Sequence, residues 1–279
     1  MRVVISSSAS VRFAAAREFL AGHPPGSEVV IVGASRGAAD DLARDVGRRA
    51  GATFGLTRFS LTEVAARAAA STLAGTRRVP GSSAGAEAMA ARAVFDAVAA
   101  GELAYFGPVA SLPGFPKALA RTVHELRLTG VTADRLRATD AASIGDLAGL
   151  LTRIEEQLAN GAVDDRAALF RMAAEACRAG QVRWAALPLV FLDLPLDSRA
   201  EQEFAAALAA RSPGVLATIP EDDAAALDAL RSMGATIFVD LLTQSQVSRM
   251  SRLSRVSRPR AAVRPRRRCG DSRASRRTP

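Results

Sequence analysis

The stretch from Glu28 to Arg36, EVVIVGASR, constrains this chain more than any other. Val29 to Val32 is apolar without polar alternation, which suits a strand covered on both faces. Gly33 and the small residues after it then turn the chain into a helical run over 38–49. Strand, tight turn and helix form the repeating unit of a parallel α/β sheet, whose ligand edge lies beyond the strand C-termini. The rest of the chain is read outward from this unit.

Before it, residues 2–6 predict a short strand and 9–20 a helix, with Ser8 or Ser10 placed to cap it. After it, Gly51 stops the helix over 38–49, and 53–57 predict a third short strand. Ser60, with Glu63 three residues on, forms a capping box for a helix over 61–73. The pattern then changes. Residues 75–85 form a loop, and 86–183 are almost entirely helical, over 86–100, 116–128, 140–159 and 164–179. Gly101, Gly130, Gly161 and Gly180 stand at the helix ends. Strands return at 187–192, 215–219 and 236–239, separated by helices over 199–210 and 222–233. The expected fold class is α/β, one mostly parallel sheet with a large helical insertion. Residues 1–74 and 186–243 supply the two parts of the α/β domain, 75–185 the helical subdomain, and 244–279 a basic, disordered tail.

Composition narrows the function classes. Half of the 279 residues are apolar, enough for a sizeable core. Cys177 and Cys269 make neither a disulfide framework nor a metal cluster, and Cys177, in a mostly apolar helical run, reads as a core residue. No apolar run reaches the roughly 18 residues of a membrane span, and the N-terminal one is too short for a secretory signal. A cytoplasmic location is expected, with no membrane partner. The net charge of +9 does not belong to the fold, because residues 245–279 hold 12 arginines against one acid, Asp271. Residues 1–244 carry a net −2, so any charge argument for nucleic acid rests on the tail alone. Ser-Arg pairs recur there every three residues from 248 to 258. Three readings stay open for it: a basic nucleic-acid arm, a solvated segment without function, or the product of a reading-frame change.

Four segments, VVIVGASRGAADDLARDV (29–46), TRFSLTEVAARAA (57–69), FPKALARTVHELRLTGV (115–131) and PLVFLDLPLDSRAEQEFAAAL (188–208), carry a family resemblance in their order and spacing. Over about residues 1–240 the chain resembles the N-terminal helicase-like domain of AddB/RecB-type proteins. These are ATP-dependent exonuclease subunits of double-strand-break repair, with a superfamily 1 helicase-like body followed by a PD-(D/E)XK nuclease domain. The resemblance implies a P-loop-NTPase-like sheet. It also implies DNA, chiefly single-stranded, and an AddA-like helicase-nuclease subunit as partners, with ATP and Mg²⁺ as the cofactors of relatives. It covers only the first domain of such a protein, so a truncated chain is expected.

The departures from that family decide the chemistry expected. A phosphate loop needs GxxxxGK[ST] after the first strand, to cradle phosphates, neutralise their charge and hold Mg²⁺. Residues 6–17 read SSSASVRFAAAR, without glycine or lysine, and the only lysine of the chain is Lys117. The residues left at a degenerate nucleotide site are Ser8, Arg12 and Asp193. Asp193 has no adjacent glutamate and also reads as a strand-end turn residue. No Glu-x-Lys nuclease cluster is present. The expectation is therefore no ATP hydrolysis, no catalytic residue, no metal site and no cofactor.

Candidate DNA contacts are Ser35 and Arg36 after the second strand, and Arg58 and Phe59 at the exit of the third. Phe59 either stacks on a base or staples the following helix start. Two other classes stay open, a stand-alone α/β scaffold and a nucleotide-dependent small-molecule enzyme using the Gly33–Gly37 turn. The turn lacks GxGxxG spacing, and Tyr105 has Val109, not lysine, four residues on. His124, beside Glu125 and between Arg121 and Arg127, reads as structural or surface.

Overall fold

The computed structural model describes residues 1–234 and the strand residues 236–238. Val239, Cys269 and the whole tail over 244–279 lie outside the described residues. In chain order the first part runs β1 (Arg2–Ile5), α1 (Ala9–Ala21), β2 (Val29–Gly33), α2 (Arg36–Ala50), β3 (Leu56–Ser60) and α3 (Leu61–Thr76). The inserted part runs β4 (Val79–Pro80), α4 (Ser83–Ala99), α5 (Phe115–Thr129), α6 (Ala133–Arg137), α7 (Ala142–Asn160) and β5 (Val163–Asp164). The chain then continues through α8 (Arg166–Arg178), β6 (Leu189–Leu192), α9 (Arg199–Ala209), β7 (Val215–Ile219), α10 (Ala224–Ser232) and β8 (Thr236–Phe238).

Six strands pair in the order β3-β2-β6-β7-β1-β8, and every pairing is parallel. This is the mostly parallel α/β sheet expected. One strand, β7, separates β1 from β6, so the loop leaving β1 faces the end of β6. The apolar runs explain why these strands are central. Along β2, Val29 and Ile31 enter one core with α1 and α2, while Val30 and Val32 enter the other with α3, α8 and α9. Strands β6 and β7 alternate in the same way. Each fully buried valine or isoleucine contributes about 1.5–3 kcal/mol relative to exposure, so shifting β2 by one residue would gain nothing and would break its pairing.

Glycine is required where β2 turns into α2. A Cβ on Gly33 would lie 2.8 Å from the Ser35 carbonyl oxygen and 3.0 Å from the Ala39 nitrogen. The third strand begins at Leu56, three residues later than the sequence pattern predicts. Gly55 turns there at φ +83°, with its Cβ position 2.4 Å from the Ser27 carbonyl oxygen, and Phe54 projects into solvent. The turn, not the β-branched Thr53, sets where pairing starts.

The insertion has its own core, built on Val94, Leu119, Leu150, Leu151 and Ile154. Helix α8 falls within the 75–185 block read from the sequence, yet it packs between α3 and α9 beneath the sheet. Phe170 of α8 and Phe204 of α9 meet there with ring centroids 5.8 Å apart. Two short features were not expected, the β4–β5 pair and α6. Arg78 secures the first by donating to Asp164 at 2.7 Å and to the Val163 carbonyl at 2.8 Å.

Two aspartates organise the insertion. Asp146 of α7 is buried and accepts backbone N–H groups from Ala104, Tyr105 and Phe106 at 3.1, 2.8 and 2.9 Å. It holds the irregular segment between α4 and α5. Asp165 caps α8 by accepting from the Ala168 N–H at 2.9 Å. Arg127 of α5 donates to Asp165 at 2.5 Å and to Glu155 of α7 at 2.6 Å, tying three helices together. Burial alone would push the Asp165 carboxyl up. The hydrogen bonds and charge of Arg127, with the Ala168 N–H, outweigh it and hold Asp165 below its ordinary value.

Asp146→Ala removes the buried acceptor shared by three backbone N–H groups and is expected to cost about 2 kcal/mol in urea unfolding, with Asp146→Asn costing less. Because the folded state depresses the Asp165 carboxyl, its contribution is complete above about pH 4 and is lost as the pH falls through the folded value. Arg127→Met is expected to cost about 2–3 kcal/mol at pH 7. It should also flatten the acid limb of stability, measured as urea midpoint against pH from 7 to 2.

Candidate functional site

In an open parallel sheet, ligands sit beyond the strand C-termini, at a switch point in strand order. The connections leaving β2 and β6 run in opposite directions, so that edge gathers the loops after β1, β2, β3, β6 and β7. Every candidate residue read from the sequence lies on it. They form two clusters.

The first cluster joins Arg12 to Asp193. Arg12 stands in the first turns of α1, is 7% exposed, and has no acidic neighbour in the first turn of its helix. A buried cation at the positive end of a helix is unfavourable without a counter-charge. Asp193 supplies it, accepting from Arg12 Nε at 2.9 Å. Arg12 Nη1 also donates to the Ser6 carbonyl oxygen at 2.5 Å. The reach is about 10 Å, two strand spacings of roughly 4.8 Å, because β7 lies between.

Thr218 of β7 completes the arrangement. Its hydroxyl donates to Asp193 Oδ1 at 2.7 Å, and its Oγ1 accepts from the Asp193 N–H at 3.1 Å. Asp193 adopts a left-handed φ of +49°, which aspartate tolerates better than most residues. Ser8 lies beside this pair. Its N–H donates to Ser6 Oγ at 3.1 Å, its hydroxyl meets Ser10 Oγ at 2.8 Å, and it makes no side-chain cap on α1.

ATP and Mg²⁺, the groups that the AddB/RecB resemblance implies for relatives, do not fit these residues. The carboxylate placed to hold a metal already accepts from a guanidinium and a hydroxyl at the same oxygen. The 6–12 backbone has no glycine to open an amide nest. Among the described residues, no group of three or more His, Cys, Asp or Glu side chains is arranged to hold a metal ion.

The second cluster lies at the ends of β2 and β3. Ser35 caps α2, its side chain accepting from the Ala38 N–H at 3.2 Å. Arg36 donates to Asp40 at 3.3 Å and lies 3.8 Å from Glu63, while Arg58 Nε lies 3.5 Å from Asp40. Two arginines thus face two carboxylates, and the cluster presents no surplus positive charge. Glu63 also closes the capping box on α3, accepting from the Ser60 N–H at 2.8 Å.

Phe59 is not available to a base. It is 4% exposed, lies 5.7 Å from the Trp184 ring, and has the Arg67 guanidinium 5.1 Å from its own centroid. Its strand position directs it into the core beneath α3, where it acts as a staple and not as a stacking platform.

No protein-family model and no curated protein matches this chain. Among the described residues, no helix is long and apolar enough to cross a membrane.

Sequence reasoning placed Arg12 and Asp193 in one site but missed that they bind each other, and it missed Thr218 altogether. Only the β1-β7-β6 order brings the three together. Arg12→Met is expected to cost about 3 kcal/mol, because Asp193 is left partly buried without its partner. Arg12→Met combined with Asp193→Asn should recover much of that loss. A double-mutant cycle by chemical denaturation measures the coupling, and additive effects would show that the pair contributes nothing.

Proposed function

We propose that this chain is a catalytically silent helicase-like α/β domain of the AddB/RecB type, serving a cytoplasmic repair nuclease as a scaffold. The observation that carries this reading is the Arg12–Asp193 pair. In a working motor, a lysine and Mg²⁺ share the charge of bound phosphates at this part of the sheet. Here the chain's own guanidinium meets the carboxylate, and the crevice is satisfied without a ligand.

The proposed partners are an AddA-like subunit and DNA, and the charge pattern divides them. Arg36 and Arg58 are balanced by Asp40 and Glu63, and residues 1–244 carry a net −2. That favours a protein partner for the folded part and assigns attraction to DNA backbone to the arginines of 245–279. The enzyme alternative is less well supported. Ser35 already commits its hydroxyl to Ala38, and Gly33 is closed in by its own backbone.

With the full chain, millimolar MgATP should release no phosphate and leave Tm unchanged. A ligand at 100 times its Kd would add about 2.7 kcal/mol, so a clear rise would overturn the reading. Fluorescence anisotropy with single-stranded DNA tests the division of partners. Arg36→Gln with Arg58→Gln should alter affinity less than about twofold, whereas replacing the tail arginines by glutamine should remove most of it. The reverse result would make the sheet edge the DNA site.

A further inference from the structure

A further concavity lies away from the sheet edge. It is a cleft of about 440 Å³ between α4, α5, α7 and the start of α8. That volume lies within the roughly 300–1,000 Å³ range of small-molecule sites, which combine apolar walls with a few convergent polar groups. Its floor is aliphatic, formed by Met89, Val123, Ile154 and Leu158. No Phe, Tyr or Trp lines it, and His124 is its one aromatic side chain.

The charges at its mouth are unequally paired. Arg127 is matched by Asp165 and Glu155, and Arg166 donates to Glu201 at 2.8 Å. Lys117 and Arg121, one helical turn apart on α5, have no such partner among the described residues. Glu87 is the only lining carboxylate outside an ion pair. With Asp165, Glu155, Glu201 and Glu87 counted, the charges sum to zero, but they are unevenly placed: Lys117 and Arg121 stand together on α5 as two cations outside any ion pair, in a cleft also lined by the N-terminal end of α4 at Ser82 and Ser83. The positive end of that helix adds to the same field.

We propose that this cleft binds a small amphipathic monoanion, with an aliphatic body on the Met89–Leu158 floor and a carboxylate-type head at Lys117 and Arg121. Apolar walls alone would accept a neutral chain. Lys117 and Arg121, neither held in an ion pair, select the charged one, and the aliphatic floor favours an aliphatic body. The site is independent of the Arg12–Asp193 crevice.

Isothermal titration of the full chain with decanoate, decan-1-ol and inorganic phosphate tests the proposal. Decanoate should saturate one site, decan-1-ol should bind at least several-fold more weakly, and phosphate should give no saturable signal. Lys117→Glu with Arg121→Glu, both at exposed positions, should weaken decanoate at least tenfold while circular dichroism and Tm stay native. Ala120→Trp, which fills the floor, should abolish binding. Native-like decanoate affinity in the double variant, phosphate binding as tight as decanoate, or no saturable decanoate binding would each overturn it. The double variant decides the matter even if Ala120→Trp fails to fold.

Discussion

The ligand edge of this sheet depends on one ion pair, between Arg12 and Asp193. An arginine buried near the start of α1 meets two penalties, the loss of water and the positive end of the helix dipole. Only a carboxylate within a side chain's reach can offset both. The strand order supplies one, because β7 alone stands between β1 and β6. Thr218, at the end of that intervening strand, orients the carboxylate through its hydroxyl and tethers the Asp193 N–H. Thr218 lies in β7, Asp193 just after β6 and Arg12 in the helix that follows β1, and these three strands are adjacent in space. A sheet with any other order would leave a buried charge unpaired.

The same logic joins the helical insertion to the sheet. Asp165 follows β5 and caps α8, the helix that packs under the sheet between α3 and α9. Arg127 grips it from α5 and reaches Glu155 on α7 with its other arm. A rigid, planar guanidinium suits this role, since it donates in two directions at once without losing its own geometry. The insertion is thus fastened through a helix cap, at the point where its chain re-enters the layer that covers the sheet.

Much of this was legible in the sequence, and the reasons differ by element. Val29–Val32 and Leu189–Leu192 are apolar throughout, and a strand covered on both faces needs nothing else to declare itself. The Ser60–Glu63 capping box was legible because both partners lie within one turn. The start of β3 was not, because Thr53 and Phe54 favour strands locally while the Gly55 turn against Ser27 decides where pairing begins. Asp146 gave no signal, since its three partners are backbone groups about 40 residues upstream. Arg12 and Asp193 were recognisable as odd residues for their positions, but 181 residues separate them and only topology makes them a pair. Phe59 was ambiguous in sequence because a base-stacking ring and a staple ring have the same neighbours in the chain.

The two edge clusters and the cleft differ in one physical respect, whether the cations are held in ion pairs. At the sheet edge Arg12, Arg36 and Arg58 each have a carboxylate within 4 Å, so a ligand there would have to break existing pairs. For Arg12 and Asp193 that competition includes the cost of leaving a partly buried charge behind. At the mouth of the cleft Lys117 and Arg121 have no pair to break, and the apolar floor beneath them gains by covering. Binding there adds interactions, whereas binding at the edge would mainly exchange them. A sheet edge whose charges are paired internally is satisfied without a ligand there, whereas at the cleft two cations outside any ion pair stand over apolar surface.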